Sequence, residues 1–136
     1  MQSCYWAIEQ LPGISQQQQA QLKACGIATT EQLLRTASTP AARQLLAGQL
    51  QIHIHHVNKW VALADLARIP SVGDRYCGLL LHSGIISVAQ LVKTPIPKLH
   101  EQILRLHVAT MQRKDLCPPV EVVKQWVSEA RSLFSG

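Results

Sequence analysis

The residues best suited to chemistry in this chain are its histidines, its cysteines and the small residues of two short turns. His53, His55 and His56 stand close together, and His53 and His56 would share one face of a helix. Two imidazoles are on offer there, but no carboxylate follows either at helical spacing, and Asp65 is the nearest acid downstream. A zinc site draws on three or four protein ligands, so the expectation is no metal. His82, His100 and His107 are isolated and read as surface or half-buried side chains. Cys4, Cys25, Cys77 and Cys117 are widely spaced, with no Cys-x-x-Cys pair, and read as reduced thiols acting as small hydrophobes. No paired carboxylates, nucleophile elbow or phosphate-loop motif is present. The expectation is therefore a protein that is not an enzyme, with no cofactor and no small-molecule substrate. What remains is the pair of turns, Leu11-Pro12-Gly13-Ile14-Ser15 and Ile69-Pro70-Ser71-Val72-Gly73.

These turns belong to a longer internal repeat. Slid over itself by 58 residues, the chain places Leu11-Pro12-Gly13-Ile14 on Ile69-Pro70-Ser71-Val72, Leu22 on Leu80, Gly26-Ile27 on Gly84-Ile85 and Gln32-Leu33 on Gln90-Leu91. At a shift of 66, Val57, Trp60, Val61 and Ala64 fall on Val123, Trp126, Val127 and Ala130. The difference, 66 − 58, is an eight-residue insertion, and Lys114 to Glu121 with Cys117-Pro118-Pro119 is the place for it.

The elements that must position the turns read as helices. Pro12 cannot continue a helix, and one then runs from about Ser15 to Ala24, stopped by Gly26. Thr29 and Gln32 have capping-box spacing, as do Ser87 and Gln90 after Gly84. Thr39-Pro40 is a further helix start. Val120, Val123, Trp126, Val127, Ala130, Leu133 and Phe134 form one apolar stripe, and Trp60 and Trp126 both read as core. Gln51 to His55 alternates too briefly for a strand. The fold class expected is all-α: two pseudo-repeats, 1–67 and 68–136, packed into one compact body, with the closing helix of the first running on into the second.

The 136 residues suffice for one domain with a real core. The formal net charge is +5, which leans toward acidic partners. No apolar run approaches the ~20 residues of a membrane span, so no membrane association is expected. Met1 to Gln10 has no basic region followed by an apolar stretch, so the expected location is cytoplasmic.

The two turns, each followed by a leucine one helix on, then Gly-Ile and a polar cap, resemble the hairpin of the helix-hairpin-helix superfamily. The resemblance covers residues 9–34 and 66–92. The paired arrangement resembles an uncharacterised bacterial domain-of-unknown-function family that carries tandem helix-hairpin-helix units. It implies an all-helical fold and contact with the phosphate backbone of DNA or RNA. In that superfamily a tight turn leaves N–H groups bare at a helix start, where they hold a phosphate oxygen without reading the base. The superfamily pattern has two glycines; here one turn keeps Gly13 with Ser15, the other Gly73 with Ser71. The small helix-packing residue of the pattern is Gln19 in the first copy and Cys77 in the second.

On this reading the nucleic-acid-contacting residues are Gly13, Ile14 and Ser15 in the first copy, and Arg68, Ser71, Val72, Gly73 and Arg75 in the second. The second turn is expected to do more of the work, since Gly73 keeps amides accessible and Arg68 and Arg75 stand near. Asp74 opposes it by charge, and the first turn has no basic residue before Lys23. Repair glycosylases of the superfamily place an aspartate shortly after the hairpin helix. Ile85 to Gln90 contains no acid, and Glu31 sits inside a capping sequence. The expected function is non-enzymatic binding of nucleic-acid phosphates; the alternative is a protein–protein adaptor on the same scaffold.

Overall fold

The computed structural model describes residues 3–111 and 118–135, the side chains of 107–111 and 134–135 excepted. Among them the chain is helical, with no strand and one isolated antiparallel bridge between Ala7 and Thr29. A 3-10 turn at Ile8–Gln10 precedes α1 (Gln16–Ala24), α2 (Thr30–Thr36), α3 (Pro40–Leu50), α4 (Ile54–Leu66), α5 (Gly73–His82), α6 (Val88–Lys93), α7 (Ile96–Met111) and α8 (Val120–Ser135).

Local chemistry sets these boundaries. Ser15 Oγ accepts from the Gln18 N–H at 3.1 Å, and Gln18 Oε1 accepts from the Ser15 N–H at 3.0 Å, a closed capping box at the start of α1. Thr29 and Gln32 do the same for α2. Ser87 Oγ caps α6 through the Gln90 N–H, while Gln90 Oε1 takes the Ile86 N–H. Thr39 caps α3 ahead of Pro40. Gly26 and Gly84 leave α1 and α5 at φ 84° and 97°. There the Ile27 N–H reaches the Leu22 carbonyl at 2.9 Å and the Ile85 N–H the Leu80 carbonyl at 3.0 Å. The brief alternation at 51–55 is a helix junction: Gln51 is left-handed at φ 57°, and His53 caps α4.

Packing then joins the helices into one core. Helix α4 packs against α2, α3 and α5, and α8 against α6 and α7. Ile14, Leu22, Ile27 and Leu33 are buried, as are Val72, Leu80, Ile85 and Leu91, the positions that the 58-residue shift pairs. Trp60 and Trp126 are both buried. On α8, Val123, Trp126, Val127 and Ala130 are buried and Val120 and Leu133 half-buried; the Phe134 side chain is outside the described residues. A single cluster runs from Ile8 to Ala130. The segment before α1 straps across it: Cys4 N–H donates to the Arg68 carbonyl at 2.9 Å and the Trp6 indole N–H to the Ala67 carbonyl at 2.8 Å. Among the described residues no helix is long and apolar enough to cross a membrane. The insertion at 114–121, with Cys117, falls largely outside the described residues.

The cysteines divide by burial. Cys25 is exposed and Cys4 half-buried, whereas Cys77 is buried and burial pushes its thiol up to about 11 from an ordinary 9.0. At about pH 8 a thiol reagent should label Cys25 readily and spare Cys77 until the protein unfolds, because only the thiolate reacts. Peptide mass spectrometry checks this; fast labelling of native Cys77 contradicts the packing of α5. Between 9.0 and about 11 the unfolded thiol loses its proton while the folded one keeps it, so stability should fall with rising pH across that window.

Candidate functional site

The two turns end in different states. At 69–73 the Val72 and Gly73 N–H groups both donate to the Ile69 carbonyl, at 3.0 and 2.9 Å. The Ser71 N–H donates to Glu129 Oε1 at 2.8 Å and the Ser71 hydroxyl to Glu129 Oε2. Gln125 Nε2 completes the cradle, donating to Glu129 Oε2 at 3.0 Å. An anion therefore sits on this turn, and it is the protein's own carboxylate, carried in by α8 and 8% exposed.

Gly73 is roofed rather than open. It is buried at φ 50°, and a Cβ there would lie 3.0 Å from Trp6 Cζ2. The expectation that Gly73 leaves its amide accessible is corrected: Val72 and Gly73 are covered, and their amides are spent within the turn. Arg68 is held by Asp65, Nη2 to Oδ1 at 3.1 Å, and Arg75 lies exposed, its guanidinium 5.1 Å over the Tyr76 ring. Neither arginine is drawn onto the turn.

The 11–15 turn is open. Leu11 and Ile14 anchor it in the core, while Pro12, Gly13 and Ser15 are exposed. Pro12 rests on α5, its Cγ 3.3 Å from where a Cβ on Gly78 would stand. Gly13 has φ 81°, a conformation that favours glycine. Ser15 is engaged with Gln18, and Gln19 Nε2 donates to the Ile14 carbonyl at 3.1 Å. Among the described residues no group accepts from the Gly13 or Ile14 N–H. Lys59 Nζ, brought in by α4, lies 3.6 Å from the position a Gly13 Cβ would take. None of the ion pairs among the described residues includes Lys59; Lys23, further along α1, pairs with Glu9 at 3.0 Å and holds that carboxyl below its ordinary range.

Of the predicted residues, then, Gly13, Ile14 and Ser15 form an accessible turn, and Arg68, Ser71, Val72, Gly73 and Arg75 do not form a second one. The sequence reading missed Lys59, Glu129 and Trp6. Glu129 left a trace: it stands three residues after Trp126, inside the apolar stripe, where an acid needs a buried partner. Lys59 and Trp6 left none.

The histidines form a local cluster. His53 Nδ1 accepts from the His55 N–H at 3.1 Å, and the two Nδ1 atoms are 2.8 Å apart. The His55 pKa is lowered by desolvation, then by positive charge on His56, His53 and Lys59. Among the described residues no group of three or more His, Cys, Asp or Glu side chains converges as a metal site. His100 Nε2 lies 3.2 Å from the Pro118 carbonyl, His82 is exposed on α5, and the His107 side chain is outside the described residues. Of the other basic residues, Arg35 and Arg105 pair with Glu31 and Glu101, while Arg113 and Lys114 are outside the described residues.

Neither a curated protein nor a solved structure matches the chain. Residues 12–133 match DUF4332, a domain of unknown function, and the chain belongs to that family.

Proposed function

We propose that this chain is a non-enzymatic binding module made of two helix-hairpin-helix pseudo-repeats, and that its 11–15 turn contacts nucleic-acid phosphates without reading sequence. The matched helix ends support the pseudo-repeat: Gly26 with Ile27 and Gly84 with Ile85 close α1 and α5 through the same hydrogen bond. The observation that carries the binding reading is Glu129. In the second copy a carboxylate occupies the turn, on the Ser71 N–H and hydroxyl with Gln125 beside it. By the repeat shifts, Ser71 corresponds to Gly13, Gln125 to Lys59 and Glu129 to Leu63. Leu63 is buried and supplies no anion, so among the described residues nothing accepts from the first turn's Gly13 and Ile14 amides and no carboxylate pairs with the adjacent Lys59. A phosphate oxygen suits that seat as the carboxylate suits the other. The binding role expected mainly of the second turn thus moves to the first.

Contact through backbone amides and one lysine is sequence-independent and salt-sensitive, since it works by displacing counterions. Titrating labelled DNA and RNA at two salt concentrations tests it. Weak binding that collapses as salt rises is expected. Lys59→Gln should weaken it evenly across sequences and reduce the salt slope by about one. Gly13→Val, which strains a left-handed residue, should weaken it further, while Arg75→Ala leaves it largely unchanged. Absence of salt-sensitive binding at low salt, or indifference to both Lys59→Gln and Gly13→Val, rejects the reading in favour of the adaptor.

A further inference from the structure

Beside the open turn lies a surface of another kind. Helices α2, α3 and α4, with the junction between α5 and α6, border an open groove of ≈ 770 Å³. Its apolar wall is Leu34, Ile54, Val61, Ala62, Leu81 and Ile86. Ile86 is 61% exposed, and Tyr5, on the adjoining hollow that shares Leu34 and Asp65, is 47% exposed. Apolar side chains held open at the lip of an apolar hollow mark a docking surface.

The charges around the groove say what fits it. Asp65 is its acid, and that carboxylate is consumed inside the protein: Oδ2 accepts the Val88 N–H at 2.8 Å and Oδ1 pairs with Arg68 at 3.1 Å. Arg43 and Lys59 stand on the walls with no carboxylate partner among the described residues. Among the described residues the Arg43 guanidinium donates to the Ala37 carbonyl at 3.0 Å and to Asn58 Oδ1 at 3.5 Å. The available charge at the rim is therefore positive, on a chain whose net charge is already +5. A second basic copy is repelled from such a face, whereas an acidic segment is drawn to it.

We propose that this groove docks an amphipathic helix of a partner protein, its apolar face on Val61, Leu81 and Ile86 and its acidic flank on Lys59 and Arg43. This is the helix-in-groove mode, in which apolar anchors one turn apart fill the hollow and rim charges fix direction. The two sites share Lys59, but Gly13 belongs only to the turn and Ile86 only to the groove, so the groove does not require the phosphate reading.

The test uses the full chain and a fluorescein-labelled peptide of about 18 residues with leucines at helical spacing and glutamates on the flanks. A scrambled peptide of the same composition and a version with Lys for Glu serve as controls. Fluorescence anisotropy should show saturable binding of the acidic amphipathic peptide and roughly tenfold weaker binding of both controls. Ile86→Asp should weaken binding roughly tenfold with unchanged circular dichroism, since the side chain it replaces is exposed. Lys59→Glu should act likewise, and Ile86→Asp should leave nucleic-acid binding intact, which separates failure here from failure of the phosphate seat. Equal binding of the three peptides, no binding, or indifference to Ile86→Asp overturns the proposal. So does sedimentation equilibrium showing a dimer that Ile86→Asp dissociates, which assigns the groove to a second copy.

Discussion

Trp126→Ala should lower the unfolding free energy by about 3–5 kcal/mol, measured by urea denaturation followed by circular dichroism. The indole has no exposed surface, and its ring meets Tyr76 at 5.1 Å between centroids and 46° between planes. It stands on α8, which α6 and α7 pack against, so truncation opens a void at the junction of several helices. A domain of this size has about 5–15 kcal/mol of stability in total, so this one change brings it near the unfolding threshold. Among the described residues the buried indole N–H has no hydrogen-bond partner. Trp126→Phe, which removes that orphan donor and keeps most of the apolar area, should cost markedly less than the alanine variant. A loss under about 1 kcal/mol for Trp126→Ala contradicts its place in the core.

Glu129→Ala should cost about 2–3 kcal/mol, because it removes the carboxylate that accepts from the half-buried Ser71 N–H and from the Ser71 hydroxyl. Its second consequence is chemical. With the carboxylate gone the 69–73 turn becomes an empty anion seat, and an anion that binds only the folded form restores stability by mass action. Inorganic phosphate should therefore raise the melting temperature of Glu129→Ala more than that of the parent, at matched ionic strength in chloride. The difference between the two proteins matters, since phosphate stabilises most folds a little by exclusion from their surface. Equal gains would mean that the turn holds Glu129 by chain geometry alone and has no capacity for a free anion.

The all-helical architecture was written in short-range chemistry. Ser15 with Gln18, Thr29 with Gln32, Pro40 after Thr39, and the glycines at 26 and 84 each act within one turn of helix. So does the stripe through Val123, Trp126, Val127 and Ala130, which needs only the period of the helix to be read. The two candidate turns, Leu11 to Ser15 and Ile69 to Gly73, were located by the same local punctuation. Which of them is open was not. That is decided by Glu129 reaching Ser71 across 58 residues, by Trp6 lying over Gly73, and by α4 delivering Lys59 to Gly13. The apolar groove has the same origin, since Leu34, Val61 and Ile86 come together only when helices pack. Caps and periodicity are interactions between near neighbours, so the order of residues determines them. Occupancy of an anion seat depends on which distant side chain arrives there, and only tertiary packing sets that.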